Sequence, residues 1–146
     1  MDVDIDSLFA YGTLMDPSFI KKRWNIEPVS VEDALIIGRL YKAGWFPVFI
    51  EDPNGFKVYG KLLRVKCLAS VIESIDYYEG YEESDPDSLF VRKRMRVFLL
   101  GGGEDEAWVY VGNPKNHQIR SVCVSENLIA DGRWRRGHQH GSSYTK

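Results

Sequence analysis

Cysteine is scarce in this chain. There are two, Cys67 and Cys123, in 146 residues. That is far too few for a disulfide scaffold. Neither shows metal-ligand spacing or a catalytic partner, so both read as buried thiols. A dominant charge is missing as well. Lys and Arg total 19 and Asp and Glu 21, a formal net charge of −2. That balance argues against a whole-protein nucleic-acid binder or a protein of anionic membrane surfaces. No stretch approaches the ~18 consecutive apolar residues of a membrane span. The first residues carry Asp2, Asp4 and Asp6, the opposite of a basic signal-peptide start, and no long apolar run follows. The expectation is a cytoplasmic protein without membrane contact. Histidine is also rare: His117, His138 and His140. The His138-Gln139-His140 run lies in a polar tail without Cys partners and reads as solvated, so no metal is expected.

The remaining composition suits a globular chain, at 44% hydrophobic and 27% charged residues. The length allows one domain with a real core. We assign it to 1–136, with 137–146 as a flexible polar tail.

An apolar run from Ser7 to Ala10 reads as a buried first strand. Asp16 before Pro17 has the form of a helix N-cap followed by a first-turn proline, with a short helix to Trp24 behind it. Val31 to Tyr41 reads as a long strand in which Gly38 marks a bulge or a close backbone approach. Phe46 to Ile50 and Phe56 to Val65 read as a hairpin around the turn Asp52-Pro53-Asn54-Gly55. Leu68, Val71, Ile72, Ile75 and Tyr78 change the period and predict an amphipathic helix over Cys67 to Gly80. Leu89 to Leu100 and Ala107 to Val111 read as a second hairpin. The sum is an α+β fold: a small, mostly antiparallel (mixed) β-barrel with about two α-helices.

One charge does not fit its face. On the predicted helix, Leu68, Ile72, Ile75 and Glu79 share the core-facing side, whereas Glu73 and Asp76 read as solvated carboxylates. A carboxylate on a buried face is costly without partners. It also lies near the negative end of the helix dipole, so its pKa should rise. Such a group suits general base work near neutrality. The alternatives are an ion pair with Arg92 or fraying into solvent. Arg92, Arg94 and Arg96 alternate along one strand. They read as a charged outer face or, alternatively, a single-strand nucleic-acid platform. Arg92 has a further option, turning inward to orient Glu79 or to contact substrate.

Phe9-Ala10-Tyr11-Gly12-Thr13-Leu14 resembles the Y-G-S/T-L signature of the γ-glutamylcyclotransferase-like family, which includes the AIG2-like branch. Ile75-Asp76-Tyr77-Tyr78-Glu79-Gly80 resembles its L-D-x-x-E-G segment. Leu40-Tyr41 with Gly44 and Pro47, Val58-Tyr59-Gly60-Lys61-Leu62, and Trp108-Val109-Tyr110 resemble further family strands. Two features depart from the pattern. Phe90 stands where many relatives have Tyr, and Asp131-Gly132-Arg133-Trp134 replaces a G-D-W ending.

The resemblance implies closure of a small γ-glutamyl amide to 5-oxoproline with release of an amine, without cofactor. Glu79 would be the catalytic acid/base. Tyr11, Gly12, Thr13, Leu14, Arg92 and Tyr110 are the expected substrate-binding residues. Backbone N–H groups of the Tyr11–Leu14 loop would receive the oxyanion and the α-carboxylate, with the Asp16-capped helix start as a further aid; Gly12 would permit close approach. A non-catalytic small-molecule binder using the same cavity is the competing expectation, and the identity of the leaving amine stays open.

Overall fold

The computed structural model describes residues 5–135. Asp2, Asp4, the 137–146 tail and its two histidines lie outside the described residues. The alternating runs form β1 (Ile5–Ala10), β2 (Ser30–Ala43), β3 (Phe46–Glu51), β4 (Phe56–Lys66), β5 (Phe90–Leu99) and β6 (Glu104–Gly112). Their order in the sheet is β3-β2-β4-β1-β6-β5, and β5 pairs back onto β2 through Ala34–Leu99 and Leu35–Phe98. Five strands thus close into a barrel, with β3 as an extra strand on β2. All pairings are antiparallel except β1 with β6, where Leu8 lies opposite Trp108.

The pleat splits the apolar residues into two clusters. Phe9, Ile36, Phe49, Val58, Leu62, Val97 and Val109 form one, to which no helix contributes; it fills the barrel. Leu8, Ala10, Leu63, Phe90 and Tyr110 point the other way and meet Ile20, Ile72, Ile75 and Ile119 of the helices.

The first helix, α1 (Pro17–Trp24), starts as its sequence dictates. The Asp16 carboxylate accepts the Ser18 N–H at 3.0 Å, and Pro17 occupies the first turn. The second, α2 (Ile72–Glu79), ends where Gly80 adopts φ +75° and its N–H reaches the carbonyls of Asp76 and Tyr77. A six-residue helix, α3 (His117–Val122), was not expected; Asn116 caps it by accepting the Ile119 N–H at 3.0 Å.

Three expectations are corrected. The helix predicted over Cys67 to Gly80 is broken. Cys67 takes a left-handed φ of +54°, Leu68–Ser70 is a 3-10 turn, and Val71 sits at φ −123° before α2 begins. Leu68, Ile72 and Ile75 still bury into one cluster, so the apolar period runs across the break. Second, β3 and β4 do not pair. Each lies antiparallel to its own half of β2, β3 along Gly38–Ala43 and β4 along Ser30–Gly38. Between them the chain passes Gly38 so closely that a Cβ on Gly55 would sit 2.3 Å from the Gly38 oxygen. The close approach read at Gly38 is therefore real, although the hairpin is not. Third, Cys67 is exposed and Cys123 half-buried.

Candidate active site

A cavity of about 520 Å³ opens where β1 leaves the barrel. The chain from Phe9 to Leu14 forms one wall. Trp45, Phe46 and Pro47, at the start of β3, form a second. Tyr78 and Glu79 enter from the end of α2, and Leu89, Phe90 and Tyr110 close the far side.

Glu79 reaches the cavity because it follows Ile72, Ile75 and Asp76 along the inward stripe of α2. Its side chain keeps partial accessibility through the cavity, yet protein surrounds the carboxyl group. Burial, and then the negative charge of Asp76, push its pKa up to about 7. No cation among the described residues offsets this. Burial, and after it the Glu79 charge, raise the phenol pKa of Tyr11 and Tyr78; for Tyr110 burial comes first, then the hydrogen bond and charge of Asp76, and Glu79 after them.

The opposing turn is held from both ends of the chain. The Tyr11 ring packs on Phe9 and Phe49, at 6.5 and 5.8 Å between centroids. Its hydroxyl donates to the Tyr110 carbonyl at 2.5 Å and accepts the Phe49 N–H at 3.4 Å. Thr13–Met15 is a single 3-10 turn closed by Met15 N–H on Gly12 C=O at 2.9 Å. The N–H groups of Thr13 and Leu14 precede that bond and have no partner inside the turn. The neighbour that demands glycine at position 12 is Pro47, whose Cγ would lie 2.9 Å from an added Cβ. The start of α1 does not join the site. Asp16 is spent on Ser18, and the lining of the cavity stops at Leu14.

Six of the seven expected site residues, Tyr11, Gly12, Thr13, Leu14, Glu79 and Tyr110, line this one cavity; Arg92 does not. Its guanidinium pairs with Asp76, Nε to Oδ1 at 2.7 Å and Nη2 to Oδ2 at 3.1 Å, and stacks on the Trp108 ring at 4.4 Å. Asp76 is therefore not the solvated carboxylate expected: it is 8% exposed and also accepts the Tyr110 hydroxyl at 2.6 Å. Its place at i+4 from Ile72 was the signal available. Trp45, Phe46, Tyr78 and Leu89 were also missed as lining residues. Arg94 pairs with Asp6 at 2.8 Å and Arg96 with Glu104 at 3.3 Å, so these β5 cations face carboxylates. No metal-ligand cluster occurs among the described residues. No helix among them is long and apolar enough to cross a membrane.

No curated protein matches the chain. Several solved structures share its fold. An Arabidopsis thaliana protein is 19% identical, with a TM-score of 0.62 over 92% of this chain and 72% of that one. An AIG2-like protein from Mus musculus is 16% identical, with a TM-score of 0.60 over 84% and 87%. A γ-glutamyl cyclotransferase is 18% identical, with a TM-score of 0.55 over 75% and 67%. Residues 8–136 match the family described as gamma-glutamyl cyclotransferase, AIG2-like. With its barrel, its Tyr11–Leu14 turn and Glu79 in one arrangement, the chain belongs to that family.

Proposed function

We propose that this protein is a cyclotransferase acting on a small γ-glutamyl amide, with Glu79 as general acid/base. The observation that carries the reading is one cavity shared by a carboxyl group of pKa about 7 and the turn whose amides precede the Met15 bond. An unperturbed Glu near ~4.3 is a poor base for an ammonium near ~8, and the raised value narrows that gap.

In this mechanism the Glu79 carboxylate takes a proton from the substrate's α-ammonium. The freed amine attacks the γ-carbonyl of the same molecule, and the new C–N bond closes a five-membered ring. Amides of the Tyr11–Leu14 turn receive the oxyanion and the α-carboxylate. Protonated Glu79 then donates to the departing nitrogen and the original C–N bond breaks; the ring nitrogen gives up its second proton, which ends on the released amine as its ammonium, and 5-oxoproline leaves. Intramolecular attack already carries a large effective concentration, so the cradle's task is to hold the bent conformer. As written, the reaction uses no metal or organic cofactor.

The test follows 5-oxoproline release from γ-glutamyl amines and dipeptides. Activity should rise with pH through about 7 as Glu79 loses its proton. Turnover that persists in Glu79→Gln removes this residue from the mechanism. A γ-glutamyl amide that binds without turnover favours the non-catalytic alternative, which Phe90, a cavity residue without a hydroxyl, motivates.

A further inference from the structure

The two sides of the cavity differ in chemistry. The polar elements, Glu79 and the Thr13 and Leu14 amides, suit the γ-glutamyl head. The facing side is hydrocarbon. The Phe46 ring lies 5.1 Å from Trp45 and 6.3 Å from Phe90, both edge-on, so three rings form one continuous wall. Tyr11 and Tyr110 add rings rather than polar tips, because the Tyr11 hydroxyl donates to the Tyr110 carbonyl and the Tyr110 hydroxyl to Asp76, while the Tyr78 hydroxyl lies with Thr13 on the polar side. Trp45 is 43% exposed and so stands at the rim. At about 520 Å³ the cavity has room beyond the γ-glutamyl head, within the usual range for small-molecule sites.

Resting on the cyclotransferase reading, we infer that the group carried by the scissile amide nitrogen is uncharged and apolar, an alkyl or arylalkyl chain, and that Trp45, Phe46 and Phe90 select it. A second ammonium or carboxylate on that group would give up water against the aromatic wall. A cation there would also seek Glu79, the one carboxylate among the described residues that line the cavity, and hold it in the form that cannot donate a proton. A free amino acid, a lysine side chain and a polyamine are all disfavoured on this ground.

The experiment compares γ-glutamyl benzylamide, γ-glutamyl-ε-lysine and γ-glutamyl-alanine on the full chain. The benzylamide should show kcat/KM at least about tenfold above both charged conjugates. Trp45→Glu, at an exposed position, should lower the benzylamide value and narrow its lead over the lysine conjugate. Equal or better turnover of either charged conjugate overturns the inference while leaving the cyclotransferase reading intact. If no conjugate is turned over, that reading has failed, and calorimetric binding of the same three compounds decides the inference. Benzylamide binding about tenfold tighter supports it; equal binding overturns it.

Discussion

Asp76 and Glu79 stand one helical turn apart on the same stripe of α2, and the fold treats them in opposite ways. Asp76 is enclosed and accepts hydrogen bonds from Arg92 and Tyr110. Glu79 receives no compensating cation among the described residues and looks into the cavity. Helix position gives both a buried address. Strands β5 and β6 then decide their chemistry, by supplying a guanidinium and a phenol to one and not the other. Removing a partner from the first breaks a satisfied buried pair, whereas neutralising the second relieves an unfavourable burial.

The largest expected effect comes from Glu79. Glu79→Gln should lower kcat for a γ-glutamyl amide by about 10³-fold, as expected for loss of a general base, measured from 5-oxoproline release. Asp76→Asn should act on stability instead. It strands Arg92 beside Trp108 and should cost about 3 kcal/mol in urea unfolding. The same variant removes the negative charge that helps raise the Glu79 pKa, so the acid limb of the pH–activity profile should move below 7. An unchanged limb would mean that burial alone sets that value.

A smaller effect links Glu79 to stability. Its folded pKa of about 7 exceeds its usual 4.5, so its favourable contribution is complete below 4.5 and is lost as pH rises through 7. At pH 8, Glu79→Gln should be more stable than the natural chain by up to about 3 kcal/mol, and at pH 4 the two should nearly coincide in denaturant midpoint. The smallest effect concerns the opposing turn. Gly12→Ala would press on Pro47, and we expect kcat/KM to fall about tenfold while Tm changes little.

The strands, the Asp16 cap and Gly80 were legible because each rests on local chemistry: alternation, a capping side chain, a left-handed residue. The break at Val71 was not, since apolar spacing continues through it and period does not report φ. The β3–β4 pairing was misread because a turn sequence says where a chain bends, not which edge of β2 it meets next. In the site, Glu79 stood out as a charge on an apolar stripe. Asp76 lay on the same stripe but was assigned to solvent, because its partners come from β5 and β6, far along the chain. Arg92 was expected at the cavity, and its pairing with Asp76 instead was hidden because the two lie on different elements. Asn116, three residues before Ile119, was the overlooked signal for α3.

The parallel seam of β1 against β6 joins segments far apart in the chain. Tyr11 finds its acceptor on Tyr110, 99 positions later. During synthesis the N-terminal turn therefore emerges long before the strand that secures it. A nascent chain ending at Gly103 would carry Glu79 and the turn sequence but neither the Tyr110 carbonyl nor the closing strand. Assembly of the cavity wall in this sense requires the closure of distant segments, a kind of contact that forms more slowly than a local helix.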